Sequence, residues 1–130
     1  MKFFWALFIP LAFTVLVETL ALCFFKDRKK RLLPQLYCNL VTNPLLHLIL
    51  PLCYMAISSL CGGENKVLNA VALLALEIAI VFSEAWLAGL FIQEPYKKRL
   101  QISAILNALS FGLGLVFSAP LESLLQLLIA

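Results

Sequence analysis

Charged residues are scarce in this chain, which has 10 Lys or Arg, 7 Asp or Glu and one His among 130 residues. Hydrophobic residues make up 63% of the sequence, and the mean hydropathy is +1.00. Soluble domains do not have this composition, whereas long apolar runs are typical of membrane spans. The few basic residues form no extended basic face, which argues against a nucleic-acid partner. We therefore expect a single all-α domain that lies in the lipid bilayer.

Common catalytic and metal-binding motifs are also missing. The sequence contains no H-E-x-x-H, G-x-S-x-G, G-x-x-x-x-G-K-[ST] or G-x-G-x-x-G pattern. The four cysteines include no C-x-x-C pair and fit small apolar side chains in a bundle. His47 lacks the acidic residue three positions earlier that dinuclear carboxylate bundles use. The sequence thus predicts no metal, no cofactor and no catalytic residue.

Four apolar runs are long enough to cross a bilayer, at residues 3–25, 35–60, 67–92 and 101–118. As helices, the first would extend about 34 Å and the fourth about 27 Å. Pro120 would end the fourth span, so residues 121–130 are expected to form a helix at the membrane interface. The pattern predicts an integral membrane four-helix bundle.

Basic residues concentrate in the connections after the first and third spans: Lys26, Arg28, Lys29, Lys30 and Arg31, then Lys97, Lys98 and Arg99. The connection between the second and third spans has only Lys66, which Glu64 balances. The positive-inside rule therefore predicts that both basic loops are cytoplasmic and both termini lie outside the cell (inner) membrane.

Each predicted span carries one strongly polar residue about 9 to 12 Å from its cytoplasmic end: Glu18, Asn43, Glu84 and Asn107. His47 and Glu77 lie deeper, at about 18 and 22 Å. Polar groups are costly in hydrocarbon, and those found there often serve function. We expect the four residues at equal depth to face one another inside the bundle.

Helical periodicity puts Asn39 on one face of the second span with Asn43 and His47, and Ser110 on one face of the fourth with Ser103 and Asn107. Thr42 is added because it follows Asn39 by three residues, as Ser110 follows Asn107. The predicted substrate- or ion-binding residues are Glu18, Asn39, Thr42, Asn43, His47, Glu77, Glu84, Asn107 and Ser110. A polar layer that only holds the helices together is the alternative, although that role does not need carboxyl groups. No Lys or Arg lies within the spans, so we expect Glu77 or Glu84 to be protonated near neutral pH.

Two further patterns concern the backbone. Glu18 precedes Asn39 by 21 residues and Glu84 precedes Asn107 by 23, each across a basic loop. This similarity, unless it is coincidence, predicts two parallel-repeat hairpins. Pro44 is expected to bend or unwind the second span, with Thr42 or Asn43 near the freed carbonyl of Leu40.

The stretch Asn39, Thr42, Asn43 and Pro44 resembles an N-x-x-T-N-P segment of small bacterial four-helix membrane proteins, a likeness that implies no particular activity. Chain length and Glu18 also resemble the small multidrug-resistance exporters. That resemblance implies that Glu18 binds a cation and a proton. The strong charge bias of the loops and the additional Glu77 and Glu84 depart from that family.

Three functions fit these observations. The first is proton- or cation-linked transport, by the chain itself or by a transporter of which it is a subunit. The second is a non-catalytic subunit that docks another membrane protein through its polar layer. The third is an intramembrane enzyme that uses its carboxylates and His47. Four short helices enclose little volume, so we expect a homo-oligomer or a complex with another membrane protein.

Overall fold

A computed structural model shows four consecutive α-helices: α1 (Lys2–Leu22), α2 (Arg28–Cys61), α3 (Lys66–Ala88) and α4 (Tyr96–Val116). The structure describes residues 2–117, with side chains from residue 8 onward. No strand occurs in this range, so the all-α prediction is confirmed. The last residue of the predicted fourth span and the predicted interfacial helix at 121–130 lie outside the described residues.

The helix ends differ from the predicted spans mainly at the first basic loop. α1 ends at Leu22, and α2 already begins at Arg28, so most of the basic cluster forms the first turn of α2. At its other end α2 stops at Cys61. The next residue, Gly62, has a φ of 68° that favours glycine, and its N–H donates to the Ser58 carbonyl. Asn65 then caps α3 by accepting a hydrogen bond from the Leu68 N–H at 3.1 Å.

The prolines of α2 do not interrupt it. The helix continues through Pro34, Pro44 and Pro51, so the expected local unwinding at Pro44 does not occur. The Thr42 hydroxyl donates to the Cys38 carbonyl at 2.9 Å, not to that of Leu40. This hydroxyl bonds one turn back along its own helix, as helical Thr often does. That Thr42 or Asn43 lies near the Leu40 carbonyl stays a prediction.

The helices form a ring in chain order. Each packs against its neighbour in sequence, and α4 closes the ring against α1. Among the described residues the diagonal pairs α1–α3 and α2–α4 make no close backbone contact, which leaves space at the centre. The connections are short, so successive helices run antiparallel. This arrangement directs one face of every helix at a common interior.

That interior is more polar than the surface around it. Within the described range the buried hydrophobic residues are Ala21, Leu22, Cys38, Ala85, Ile102 and Leu106. The buried polar residues outnumber them: Glu18, Arg31, Gln35, Asn39, Thr42, Asn43, Glu84, Ser103, Asn107 and Ser110. Large apolar side chains such as Leu48, Leu52 and Phe82 point outward instead. Soluble proteins have the opposite distribution.

Three of the helices, α2, α3 and α4, are long and apolar enough to cross a membrane. The apolar stretch Phe8–Leu22 of α1 is shorter. The helix lengths and the outward apolar side chains are together consistent with a helical membrane bundle.

Ion pairs join the two basic loops at one end of the bundle. Arg31 of α2 pairs with Glu94, and the Lys98 ammonium lies 3.2 Å from Glu94 and 3.4 Å from Asp27. Partial burial raises the pKa of Glu94, but hydrogen bonds from Lys98 and Arg31 and their positive charges outweigh it and lower that pKa. We refer to Asp27, Arg31, Glu94 and Lys98 as the loop clamp.

Candidate functional site

Glu18 is fully buried where α1 faces α2 and α4. Its Oε2 accepts hydrogen bonds from the amide nitrogens of Gln35, at 2.8 Å, and Asn39, at 2.7 Å. Its Oε1 lies 3.2 Å from the Ser110 hydroxyl. Side chains from two neighbouring helices, α2 and α4, therefore hold this carboxyl group in one orientation.

Glu84 occupies the corresponding place on α3. Its Oε2 accepts hydrogen bonds from the Asn107 amide at 2.5 Å, the Ser103 hydroxyl at 3.0 Å and, more weakly, the Gln35 amide at 3.5 Å. Its Oε1 lies 3.0 Å from the Thr42 hydroxyl. Because Gln35 reaches both carboxyl groups, Glu18 and Glu84 belong to one hydrogen-bonded network.

Regular helical spacing creates this network. On α2 the participating residues Gln35, Asn39 and Thr42 have the spacing i, i+4, i+7, which puts them on one helix face. On α4 the residues Ser103, Asn107 and Ser110 repeat that spacing. Two helices that face the same interior thus each present a ladder of a polar residue, an asparagine and a hydroxyl.

The two carboxyl groups make matching contacts with these side chains. Each Oε2 accepts from the asparagine of its own hairpin, Glu18 from Asn39 and Glu84 from Asn107. Each Oε1 contacts the hydroxyl of the other hairpin, Glu18 that of Ser110 and Glu84 that of Thr42. The α1–α2 and α3–α4 hairpins therefore make equivalent contacts across the bundle.

The hydroxyl contacts also bear on where protons reside. The Thr42 hydroxyl lies 2.9 Å from the Cys38 carbonyl and 3.0 Å from Oε1 of Glu84. The Ser110 hydroxyl lies 3.1 Å from the Asn107 carbonyl and 3.2 Å from Oε1 of Glu18. A hydroxyl has one proton, which cannot fully serve two acceptors. If each Oε1 carried a proton and donated it to the neighbouring hydroxyl oxygen, each hydroxyl could give its own proton to the backbone carbonyl. The hydrogen bonds of both carboxyl groups and both hydroxyl groups would then be satisfied.

A cavity of about 310 Å³ begins at this network and extends away from the loop clamp. Residues of all four helices line it, and no Lys or Arg is among the described residues that do so. The Asn43 side chain is only 8% exposed and forms no hydrogen bond within the described part of the chain, although it lines the cavity. The half-buried His47 and Glu77 line the cavity too and likewise have no hydrogen-bond partner there.

The structure brings the residues of the predicted site together. Six of the nine form the network: Glu18, Asn39, Thr42, Glu84, Asn107 and Ser110. The other three, Asn43, His47 and Glu77, line the adjoining cavity. The four residues expected at one depth are all buried, and Glu84 contacts Asn107 directly, but Asn43 bonds to none of them. Whether any of them binds a substrate or an ion stays a prediction.

The predicted site did not include Gln35, Ser103 or Arg31, although Ser103 donates to Glu84. Gln35 was placed at the boundary of the second span and left out of the site, whereas it joins the two carboxyl groups. Its position four residues before Asn39 was the signal that could have revealed it. Arg31 lies one further turn away and is 4% exposed, because α2 begins seven residues before the predicted span.

Among the described residues, no group of three or more His, Cys, Asp or Glu side chains is arranged to hold a metal ion. The donors that contact Glu18 and Glu84 are amides and hydroxyls. Such a set can stabilise a carboxyl group in either protonation state, because an amide donates to a carboxylate and a hydroxyl can donate or accept.

Comparison of the chain with protein-family models, with curated proteins and with solved structures finds no match. The resemblances to N-x-x-T-N-P membrane proteins and to small multidrug-resistance exporters therefore stay predictions.

Proposed function

We propose that the protein is an integral membrane carrier, or the membrane subunit of one, that couples transport to protons or cations through Glu18 and Glu84. The observation that supports it is the pair of buried carboxyl groups, bridged by Gln35 at one end of a cavity that all four helices line. None of their hydrogen-bond donors among the described residues is Lys or Arg, so no fixed cation neutralises them. A mobile proton or cation can fill that role.

The proposed mechanism is an exchange at the network. When both carboxyl groups are protonated the site is neutral and its hydrogen bonds are satisfied. Release of one proton leaves a carboxylate that attracts a cation into the cavity, while amides and hydroxyls of α2 and α4 stabilise the negative charge. Because Gln35 contacts both carboxyl groups, a change at one alters the hydrogen bonds of the other. Occupation by a cation and occupation by protons would thus exclude each other.

In the proposed topology the chain crosses the cell (inner) membrane four times. Its loop clamp is cytoplasmic and both termini are outside. The grouping of the two basic loops at one end supports this orientation. A Gly63→Cys variant without the other accessible cysteines should react with a membrane-impermeant thiol reagent added outside intact cells. Reaction only after the cytoplasmic side is opened would contradict the topology.

Internal duplication would explain the equivalent contacts of the two hairpins. We propose that the hairpins are parallel repeats related by an axis along the membrane normal. The paired arrangement of Glu18, Asn39 and Thr42 with Glu84, Asn107 and Ser110 supports this interpretation. It implies that both carboxyl groups take part in exchange, so neither should be dispensable.

Proton movement in vesicles tests the proposed function. Purified protein is reconstituted with a pH-sensitive dye inside, an acidic interior is imposed, and Na⁺, K⁺ or tetramethylammonium, which has no neutral form that could cross the bilayer unaided, is added outside. A carrier should alkalinise the interior with at least one of these cations. Glu18→Gln and Glu84→Gln should each abolish the response, whereas Glu64→Gln in the polar turn should retain it. Absence of any cation-driven response in the wild type would contradict the carrier.

A non-catalytic partner subunit is the second candidate, and the large exposed apolar surface of α2 and α3 supports it. Native mass measurement in mild detergent separates the two. A discrete homo-oligomer agrees with a carrier, since four short helices enclose little volume. A stable complex with a different membrane protein, together with an inactive isolated chain, agrees with the subunit.

A further inference from the structure

The central cavity adjoins an apolar groove on the outside of the bundle. The groove measures about 520 Å³ and lies between α2 and α3, with Phe82 and Trp86 among its walls. Thr42, Leu46 and Ile80 line both the groove and the central cavity. A single layer of side chains therefore separates the interior from the outer surface at this point.

The cavity next to this layer has polar groups that find no hydrogen-bond partner among residues 8–117. Asn43 is more than nine-tenths buried and forms no hydrogen bond within the described part of the chain, so its amide is free to bond a ligand or water in the cavity. His47 follows one turn later on α2, and Glu77 lines the cavity from α3. Each of the three can accept a hydrogen bond, through an amide oxygen, an imidazole nitrogen and a carboxylate.

We propose that the protein binds a single-chain amphiphile with a primary amine head group. The ammonium lies in the cavity at Asn43, His47 and Glu77, and the apolar chain passes between Leu46 and Ile80 into the α2–α3 groove. This inference rests on the proposed function and names the class of its substrate. The amphiphile enters sideways from the bilayer core, since the groove opens on the apolar face of the bundle.

The chemistry of the cavity favours an amine as the head group of the ligand. A primary ammonium has three donors and no acceptor, which matches three acceptors without partners. It also supplies positive charge to a cavity that Glu77 and Glu84 line, where residues 8–117 contribute no Lys or Arg. A fatty acid would place a second carboxylate beside Glu77, and an alcohol would supply one donor instead of three. The apolar chain follows from the groove, whose walls are mostly aliphatic and aromatic.

Quenching of Trp86 fluorescence tests the inference, because this side chain lines the groove. Trp5→Phe removes the chain's only other tryptophan. The probe is a twelve-carbon primary amine brominated near the end of its chain, added to protein in lipid nanodiscs. We expect saturable quenching that unbrominated dodecylamine reverses. The brominated alcohol and the brominated fatty acid of equal length should bind about tenfold more weakly or worse, since they lose charge-assisted hydrogen bonds.

Variants distinguish specific binding from partitioning into lipid. Glu77→Gln and Asn43→Leu should each weaken amine binding about tenfold, the cost of a lost hydrogen bond to a charged group. Ile80→Phe should narrow the passage and weaken binding, whereas Leu74→Phe is a matched change on the exposed face of α3, outside both the groove and the cavity. The Leu74 variant should bind as the wild type does.

Three results would overturn the inference: quenching that does not saturate, equal binding of amine and alcohol, or unchanged binding in both Glu77→Gln and Asn43→Leu. The measurement is made at equilibrium without a pH gradient, so it can succeed even if the vesicle experiment finds no proton exchange. Proton exchange driven by Na⁺ or K⁺ with no amine binding would instead retain the proposed carrier and remove only its substrate class.

Discussion

The side-chain amide of Gln35 donates to Oε2 of Glu18 at 2.8 Å and, through the same nitrogen, lies 3.5 Å from Oε2 of Glu84. This bridge crosses from α1 to α3, two helices that make no close backbone contact with each other. A single side chain of α2 therefore links groups on opposite sides of the ring. Its loss should affect both carboxyl groups at once.

Gln35→Leu should destabilise the bundle by about 1 to 3 kcal/mol, because it leaves two buried carboxyl groups each short of a donor. Thermal or denaturant unfolding in mild detergent would measure this. Gln101→Leu is the matched control, since Gln101 is exposed on α4 and forms no hydrogen bond among the described residues. Equal stability of the two variants would show that the bridge contributes nothing.

Arg99 stabilises the end of α3 from across the second basic loop. Its guanidinium donates to the Ala85 carbonyl at 2.9 Å and lies against Gly89, where a Cβ atom would overlap it. Gly89→Ala should displace the guanidinium and cost about 1 to 2 kcal/mol of stability. The φ of Gly89 is −66°, so backbone strain adds nothing to this cost.

Two comparisons test the origin of that loss. A Cβ atom at Gly112, within α4, would meet open space, so Gly112→Ala should gain up to about 1 kcal/mol from helix propensity. In an Arg99→Ala background, Gly89→Ala should no longer destabilise the protein. A full loss of stability in that background would assign the effect to the glycine itself.

The polar site was largely predictable from sequence because in an apolar helix every polar residue stands out. Counting residues from the basic loops placed Glu18, Glu84 and Asn107 at one depth, and the structure buries them together. The same reasoning failed for Gln35, since a polar residue next to a charged cluster looks like the end of a span. Only the continuation of α2 to Arg28 moves Gln35 into the interior.

Side-chain partners could not be predicted in the same way. Periodicity puts Thr42 on the inner face of α2, but whether its hydroxyl contacts Leu40, Cys38 or Glu84 depends on atomic positions that spacing does not determine. The adjacency of the cavity and the α2–α3 groove depends in turn on how two helices pack. Such features arise from tertiary packing, about which the sequence pattern carries little information.

The loop clamp should make stability depend on acidity. The folded-state pKa of Glu94 lies below its unfolded value, so its contribution is present above the unfolded pKa and is lost as pH falls through the folded pKa. The wild type should therefore be more stable than Glu94→Gln at about pH 6, and the difference should shrink toward about pH 3. These two pH values lie on either side of the ordinary pKa of Glu. Unfolding of both proteins at several pH values measures this.

Glu64→Gln is the control for the clamp, because it removes the same charge from the turn at the opposite end of the bundle. The stability of Glu64→Gln should equal that of the wild type at both pH values. High salt should reduce the advantage of the wild type only modestly, since the Arg31 and Glu94 side chains are mostly buried. A difference between wild type and Glu94→Gln that stays constant with pH would contradict the proposed role of the carboxylate.

Protonation of the network is the most direct property to measure. The hydroxyl geometry fits a protonated carboxyl group at Glu84, whose Oε1 donates to Thr42 while that hydroxyl donates to the Cys38 carbonyl. Infrared spectra near neutral pH should therefore contain a protonated-carboxyl band that Glu84→Gln removes.

Thr42→Val keeps the shape of the side chain but removes the acceptor, so the band should remain and move to higher frequency as its hydrogen bond is lost. Ser83→Ala is the control on α3. Among the described residues the Ser83 hydroxyl bonds only to the Ala79 carbonyl, so its loss should leave the band unchanged. Carboxylate bands alone, from mildly acidic to mildly alkaline pH, would show that Glu18 and Glu84 are ionised. In that case the network would be a set of donors around fixed charges, and proton exchange would lose its physical basis.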